Sequence, residues 1–483
     1  MKAVTKDQEL RNLAYAEIQQ HQKLVEADPY RLLYHLMPPV GLLNDPNGVI
    51  QWQGIYHVFY QWMPFDTDHG AKFWGHYTST DLVNWKHEEI GLTPSEWFEK
   101  NGCYSGSAID HEGELRLYYT GNVKDEQGER QSYQCLATSY DGSVFHKKGV
   151  VLELPDGYTA HFRDPKVWKE GSDWYMVVGA QSTDEKGMVA LFHSKDGLEW
   201  SHLGAIAGSG IGSLGEFGYM WECPDLFTLN EQDLLIVSPQ GLEADGLHYQ
   251  NVYQAGYFIG KLDCQKAAFE HGNFTELDRG FDFYAPQTTS DDKGRRLLIG
   301  WMSVPDQNEQ EHPTIKHKWI HNLTLPRELT LVNGKLFQAP AEELKELRKN
   351  QAVDAEVALS NEKIVWPGLN GKTMELELTD IDLANAQLVE IGVRDHARII
   401  YEPAKKLFTL ARKSYVDGNW EKRQCKLSSL LSLTVYLDHS SIEIFINGGE
   451  EVFSARIFPD PENETIFILA DGTLKGNLKK WDL

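Results

Sequence analysis

The chain has 483 residues and a formal net charge of −25, from 46 Lys and Arg against 71 Asp and Glu. A field of that sign repels phosphate backbones and argues against nucleic acid as a partner, and an anionic substrate would need a local basic patch. The length predicts two or three domains, and a hydrophobic fraction of 41% is sufficient for packed cores.

The first 30 residues form a segment with an amphipathic pattern, which predicts a short N-terminal helix and no apolar signal sequence. No apolar run is long enough to span a bilayer. The five cysteines are scattered, without a Cys-x-x-Cys pair, as is typical of reduced thiols. We therefore expect a cytoplasmic protein with no membrane partner, and the sequence leaves homo-oligomer formation open.

Strand patterns of period two dominate after residue 30. Five aromatic-aliphatic runs recur in steps of 59, 59, 60 and 62 residues and begin at Gly54, Gly113, Ser172, Gln232 and Gly294. The first three runs are followed by the related segments STDLVNW, SYDGSVF and SKDGLEW. A period of about 60 residues suits a four-stranded blade. The sequence thus predicts an all-β fold whose residues 31–345 form a five-bladed β-propeller.

A short motif precedes each run, and its position in the repeat is marked by Pro46, Gly106, Pro165, Pro224 and Pro286. The innermost strand of each blade lines the central channel of a propeller, so residues at one phase of the repeat should meet at one mouth of that channel. At this phase we expect Asp45, Ser105, Asp164, Glu222 and Gln287.

Three converging carboxyl groups indicate glycoside hydrolysis, which needs one protonated and one ionised carboxyl. We expect the Trp221 ring to favour neutral Glu222, the general acid/base, and hydrogen bonds to lower the pKa of the nucleophile Asp45. The Arg163 cation should keep Asp164 ionised as an anchor for sugar hydroxyls. A salt-bridged turn explains any one of these acids as well as function does, but it does not explain all three at one phase.

No metal ion or other cofactor is expected. The 18 histidines show no HExxH spacing, and the GxSxG signature of serine hydrolases is absent.

Four motifs resemble, in order and spacing, those of the β-fructofuranosidases of glycoside hydrolase family 32: LLNDPNG, YSGSA, FRDP and WECPD. The resemblance implies a propeller followed by a β-sandwich, and a retaining double displacement. It makes Asp45 the nucleophile, Glu222 the acid/base and Asp164 the transition-state stabiliser. The substrate-binding residues it implies are Asn44, Gln61, Trp74, Tyr104, Ser105, Arg163, Tyr284 and Trp301. Family members usually have Trp-Met where this chain has Leu42-Leu43.

Residues 346–483 show alternating runs that predict an antiparallel β-sandwich after a charged helical link, AEELKELRKN. The segments HSSIEIFINGG and EVFSARIF predict a hairpin with Asn-Gly-Gly at its turn. We expect this domain to brace the propeller, and a lectin-like role is the alternative.

Hydrolysis of sucrose 6-phosphate or sucrose is the leading function, and the phosphorylated sugar fits a cytoplasmic enzyme supplied by a phosphorylating transporter. Candidate phosphate ligands are His69, Lys72 and Lys318, although each is better explained as a plain surface residue. The alternatives are an exo-acting inulinase or levanase, a related propeller hydrolase of arabinan and a non-catalytic sugar-binding protein.

Overall fold

The computed structural model describes residues 4–483. The predicted N-terminal helix is present as α1 (Lys6–Glu26), and the Thr5 hydroxyl caps it by accepting a hydrogen bond from the N–H of Gln8 at 3.2 Å. The Asp7 carboxylate accepts a hydrogen bond from the Thr93 hydroxyl at 2.6 Å, which ties the helix to the propeller. Within the described residues, no helix is long and apolar enough to cross a membrane.

The propeller has the five predicted blades, each an antiparallel sheet. Blade I contains β1 Gly41–Trp52, β2 Ile55–Met63, β3 Phe73–Ser79 and β4 Lys86–His87, and blade II contains β5 Cys103–His111, β6 Glu114–Lys124, β7 Arg130–Ser139 and β8 His146–Leu152. Blade III contains β9 Tyr158–Glu170, β10 Asp173–Ser182, β11 Gly187–Ser194 and β12 Ser201–Gly208, and blade IV contains β13 Met220–Leu229, β14 Gln232–Gln240, β15 Gly256–Asp263, β16 Ala268–His271 and β17 Thr275–Glu276.

Blade V contains β18 Tyr284–Ser290, β19 Arg296–Trp301, β21 Arg327–Val332 and β22 Lys335–Pro340. The two-residue strand β20 (Trp319–Ile320) pairs in parallel with β1 and so closes the ring between blades V and I. Short 3-10 helices cover Trp97–Glu99, Glu309–Glu311, Ile315–His317, Glu342–Leu347 and Pro403–Lys405.

The repeated serine segments form the same turn between the third and fourth strands of blades I to III. In each turn a serine hydroxyl donates a hydrogen bond to an aspartate two residues later, in the pairs Ser79 and Asp81, Ser139 and Asp141, and Ser194 and Asp196. Each aspartate Oδ1 accepts hydrogen bonds from the N–H groups two and three residues further on, at 2.7 to 3.0 Å. This turn chemistry explains why the segments recur at the blade period.

All five innermost strands carry a β-bulge at the predicted phase, where the pairing register with the second strand slips. The bulged residues that precede the marker positions are Asp45, Ser105, Asp164, Cys223 and Ala285. Bulges re-aim side chains, and a proline in a bulge loses no ladder hydrogen bond. The expectation of one shared phase is therefore wrong for Glu222, which lies one residue before Cys223, and for Gln287, which lies two residues after Ala285.

The C-terminal domain is the predicted β-sandwich. Its ten strands are β23 Asn350–Ile364, β24 Met374–Asp382, β25 Leu388–Val393, β26 Ala397–Glu402, β27 Leu407–Lys413, β28 Trp420–Lys426, β29 Leu433–Asp438, β30 Ser441–Ile446, β31 Glu451–Arg456 and β32 Ile466–Asp482. The long strand β32 pairs with β25 over residues 466–471 and with β24 over residues 475–482. It thereby links the strands β25–β28 to the strands β24 and β29–β31.

A buried charge network joins the sandwich to the propeller. The His35 ring contacts Asp438 through Nδ1 at 2.8 Å and Glu443 through Nε2 at 3.0 Å, and all three side chains are 0% exposed. Arg327 of blade V pairs with Glu443 at 2.7 Å and with Asp278 at 3.1 Å. The predicted hairpin of β30 and β31 turns at 447–449 and abuts blade V, where a Cβ at Gly449 would lie 1.8 Å from the Gln338 carbonyl oxygen. This closely packed interface favours the role of a brace.

Candidate active site

A cavity of about 520 Å³ is lined by residues from all five blades at the starts of the innermost strands. It has the size of a site for a small molecule. Nine of the eleven residues predicted as catalytic or substrate-binding line it: Asn44, Asp45, Gln61, Tyr104, Arg163, Asp164, Glu222, Tyr284 and Trp301. The remaining two, Trp74 and Ser105, are fully buried behind its wall.

Asp45 is held through one oxygen. Its Oδ2 accepts hydrogen bonds from the Ser105 hydroxyl at 2.6 Å and from the Gln61 amide at 3.3 Å, and the Cys223 thiol lies 3.7 Å away. Burial raises the pKa of Asp45, and the Ser105 hydrogen bond opposes that shift while the Glu222 charge adds to it. The expected lowering of this pKa is wrong, because the cost of burying the charge exceeds the gain from the hydrogen bonds.

Glu222 is held through both oxygens. Arg163 donates to Oε1 from Nε at 2.9 Å and from Nη2 at 2.7 Å, while Gln240 and Tyr284 donate to Oε2 at 2.8 and 2.7 Å. The Trp221 ring is not the predicted wall of this carboxyl. It stacks on Phe258 in the core instead, because neighbouring residues of a strand point to opposite faces.

Asp164 has a strongly raised pKa. Burial raises its pKa to about 7, with Arg163 opposing the shift and the charges of Glu222 and Asp45 adding to it. Its Oδ2 accepts a hydrogen bond from the N–H of Cys223 at 2.9 Å. The prediction that Arg163 keeps this group ionised is wrong, since the guanidinium makes its hydrogen bonds to Glu222 in the next blade.

Trp74 and Ser105 support the site from behind. The Trp74 ring packs against Phe59 and Tyr119 between blades I and II, and its Nε1 donates to the Tyr104 carbonyl at 3.1 Å. It therefore fixes the backbone of a cavity residue without lining the cavity. The Ser105 hydroxyl likewise acts from behind, because it donates a hydrogen bond to Asp45 and accepts one from the Gln61 amide.

Lys72 is not the surface residue that it resembles in the sequence. It is 3% exposed and lines the cavity, and its Nζ has no hydrogen-bond partner in the described part of the chain. Burial lowers its pKa to about 7, against the attraction of Glu309 and Asp45. Of the other two phosphate candidates, His69 lines the cavity and Lys318 does not.

Several polar residues of the wall were not predicted from the sequence: Asn101, Asn122, Lys124, Arg130, Gln240 and Asp306. A signal for two of them was present. Second strands return to the mouth of the channel, so Asn122 near the end of β6 and Gln240 at the end of β14 occupy places like those of Gln61 and Trp301 in β2 and β19. The others lie on hairpins and loops that the repeat does not constrain.

Comparison with known proteins agrees with this architecture. The model described as "Glycosyl hydrolases family 32 N-terminal domain" matches residues 35–340, and the one described as "Glycosyl hydrolases family 32 C terminal" matches residues 343–482. A relative from Bacillus subtilis (strain 168), named sucrose-6-phosphate hydrolase, is 54% identical over 477 residues, which cover 99% of each chain.

Two solved structures are similar over nearly the whole chain. The sucrose-6-phosphate hydrolase from Lactobacillus gasseri has a TM-score of 0.87 and 32% identity, over 97% of this chain and 96% of its own. A mutant β-fructofuranosidase from Bombyx mori, in complex with sucrose, has a TM-score of 0.85 and 34% identity, over 98% of each chain. The chain belongs to glycosyl hydrolase family 32.

Proposed function

We propose that the protein is a retaining β-fructofuranosidase that cleaves sucrose 6-phosphate, and sucrose less efficiently, through a fructosyl-enzyme intermediate. The main observation behind this proposal is that Asp45, Asp164 and Glu222, from three separate blades, line one cavity. The names of the relatives support the substrate, since the Bacillus subtilis and Lactobacillus gasseri proteins are called sucrose-6-phosphate hydrolases. Five free thiols are consistent with action in the reducing cytoplasm.

In the first step the Asp45 carboxylate attacks the anomeric carbon C2 of the fructosyl unit. The Ser105, Gln61 and Cys223 contacts all fall on Oδ2, which leaves Oδ1 for the attack. The bond from C2 to the glycosidic oxygen breaks as Glu222 protonates that oxygen, and the glucosyl part leaves. In the second step ionised Glu222 takes a proton from water, the water oxygen bonds to C2, and Asp45 departs.

Glu222 must therefore exist with and without its proton, and Tyr284 accommodates both states. The Tyr284 hydroxyl lies 2.7 Å from Glu222 Oε2 and 3.2 Å from the Ser238 carbonyl oxygen, and it has one proton to donate. It donates to Glu222 when the carboxyl is ionised. When Oε2 carries the proton, the phenol oxygen accepts a hydrogen bond from that O–H group and donates its own proton in a hydrogen bond to the Ser238 carbonyl oxygen. Burial raises the pKa of Tyr284 well above its ordinary value, so the phenol stays protonated.

Asp164 binds hydroxyls of the fructosyl ring. In the empty cavity its pKa of about 7 keeps it partly protonated near neutral pH. Sugar hydroxyls that donate to it stabilise the ionised form, so substrate binding lowers that pKa. Lys72 lies on the Asp45 side of the cavity, where its unpartnered Nζ can donate to an oxygen of the fructosyl unit.

The test is to compare kcat/KM on sucrose 6-phosphate, sucrose, inulin and arabinan. The proposal expects the phosphorylated sugar to be favoured over sucrose by at least about tenfold, or roughly 1.4 kcal/mol of transition-state binding. A smaller preference overturns the proposed substrate, and faster release of fructose from inulin favours an exo-fructanase. Release of arabinose without cleavage of sucrose favours an arabinan hydrolase, and sugar binding without any hydrolysis favours a non-catalytic protein.

A further inference from the structure

The wall of the cavity formed by blade II carries two cations to which the catalytic scheme assigns no role. Lys124 ends strand β6, Arg130 begins strand β7, and the two residues face each other in the β-ladder of this hairpin. Both line the cavity. They are therefore held side by side on a strand pair, with a short turn between them, and are not on separate mobile loops.

Neither cation is neutralised within the described residues. No carboxylate there lies within 4.0 Å of Lys124 Nζ or of the Arg130 guanidinium. Asp125, on the turn between them, uses its Oδ1 to accept hydrogen bonds from the N–H groups of Gln127 and Glu129 at 2.9 and 2.8 Å. Arg130 lies over the face of the Tyr104 ring, with Cζ 5.9 Å from the ring centroid, and this contact leaves its N–H groups free to bind a ligand. Two free cations in one cavity stand out in a chain with a net charge of −25.

Arg130 lies near the residues that hold Glu222, the proposed acid. Burial lowers the pKa of the His161 ring to about 4, and the charges of Arg163 and, less strongly, Arg130 add to this shift. His161 in turn lies 3.1 Å from Arg163, which holds Glu222. The positive charge of Arg130 is thus near the group that protonates the glycosidic oxygen.

Lys72 lies near Asp45, the proposed nucleophile. The charges that act on it are those of Glu309 and Asp45, and it contacts the blade II backbone where the N–H of Cys103 donates to its carbonyl at 2.8 Å. A group on the fructosyl unit would meet Lys72, whereas a group on the departing glucosyl unit would meet the blade II hairpin.

We propose that Lys124 and Arg130 form the binding site for the phosphate of the leaving group, and that they give the enzyme its preference for a phosphorylated disaccharide. This proposal rests on the proposed function. A phosphate dianion offers several acceptor oxygens, which suit the planar fork of Arg130 and the point charge of Lys124. The local positive charge also offsets the repulsion that the overall negative charge exerts on an anionic substrate.

The experiment measures kcat/KM on sucrose 6-phosphate and on sucrose for the wild type and for Lys124→Met, Arg130→Met and the double variant. Lys100→Met is the matched control, because it removes an exposed cation whose side chain does not line the cavity. We expect each single variant to lower the ratio of the two kcat/KM values by at least about tenfold, and the control to change it by less than about twofold. Arg130→Lys should recover part of the ratio.

A second readout does not depend on catalysis. Calorimetric binding of glucose 6-phosphate, the phosphorylated product of the reaction, should weaken by at least about tenfold in both single variants and become less sensitive to salt. Suppose that the wild type prefers sucrose 6-phosphate, but the variants keep this preference and bind glucose 6-phosphate as before. That result overturns the phosphate site and leaves the proposed function intact. A wild type without the preference and without glucose 6-phosphate binding overturns the proposed substrate and the site together.

Discussion

His35 lies between two carboxylates at the joint of the two domains, and its replacement tests how this joint is held. The ring donates from Nδ1 to Asp438 and from Nε2 to Glu443, so it is a cation when both contacts are made. Burial opposes that charge, but the two hydrogen bonds raise the pKa of His35 overall. Burial raises the pKa values of Asp438 and Glu443, but their contacts with His35, and that of Glu443 with Arg327, outweigh it. Both pKa values therefore lie below their ordinary range.

The variant His35→Gln keeps a polar side chain and removes the charge. It leaves two fully buried carboxylates facing a neutral group, and breaking a buried ion pair in this way costs roughly 3 to 5 kcal/mol. The matched control is His57→Gln in blade I. His57 is also buried, but burial lowers its pKa to about 4. Within the described residues its only side-chain hydrogen bond is to the His76 ring, so its loss should cost about 1 kcal/mol.

The pH dependence follows from the directions of the shifts. The raised pKa of His35 adds stability that is complete below its unfolded value of about 6.5 and is lost as pH rises through the folded value. The lowered pKa values of Asp438 and Glu443 add stability that is complete above about pH 4.5 and is lost as pH falls through their folded values. The joint is therefore most stable between about pH 4.5 and 6.5.

Urea unfolding at pH 5.5 and at pH 9, followed by circular dichroism, measures the difference in the free energy of unfolding between wild type and variant. We expect the full loss of roughly 3 to 5 kcal/mol at the lower pH and a smaller loss at the higher one, with no such trend for His57→Gln. A loss of less than about 1 kcal/mol at pH 5.5, or an equal loss at both pH values, would refute a charged His35 clamp.

Three further outcomes concern the proposed catalytic carboxyls. Because Asp164 has a pKa of about 7 in the free enzyme, kcat/KM on sucrose should fall as pH decreases through about 7, whereas kcat should persist to lower pH. Acid limbs of kcat/KM and kcat that coincide would contradict this. Ser105→Ala removes a hydrogen bond that opposes the raised pKa of Asp45, so the acid limb of the pH profile should move to higher pH and activity at pH 6 should fall about tenfold. An acid limb that does not move would show that the serine has no role in the titration of Asp45. Tyr284→Phe should lower kcat by about ten- to a hundredfold with KM changed less than about threefold, and a change in KM alone would make the tyrosine a binding group only.

The propeller and its acids were predictable because one regularity covers most of the catalytic domain. The blade period, the proline positions and the serine turns repeat together, and the bulges place Asp45 and Asp164 at equivalent positions. The same regularity placed Glu222 one residue out of phase, because the proline in that blade follows Cys223. A repeat predicts which backbone segments meet, but it does not predict which side chain of a bulge is aimed at the mouth.

Contacts between side chains were predicted less well, for a physical reason. The pairing of Arg163 with Asp164 assumed that neighbours in the chain are neighbours in space, whereas successive side chains of a strand point in opposite directions. Arg163 therefore reaches Glu222, 59 residues later in the next blade. The burial of Lys72 depends on how its loop packs against blade II, and no pattern of period two records that packing.

The central claim, a fructosyl ester on Asp45, can be tested directly by mass spectrometry. Glu222→Ala enzyme is mixed with β-fructofuranosyl fluoride, whose leaving group needs no proton, so the ester forms but its hydrolysis lacks a general base. After acid quenching and digestion, we predict that the peptide containing GLLNDPNG gains the mass of one fructosyl unit on Asp45. The gain in mass should be absent from the double variant that carries Asp45→Asn together with Glu222→Ala. A fructosyl unit on another residue, or release of fluoride in repeated turnovers without any labelled peptide, would contradict the account.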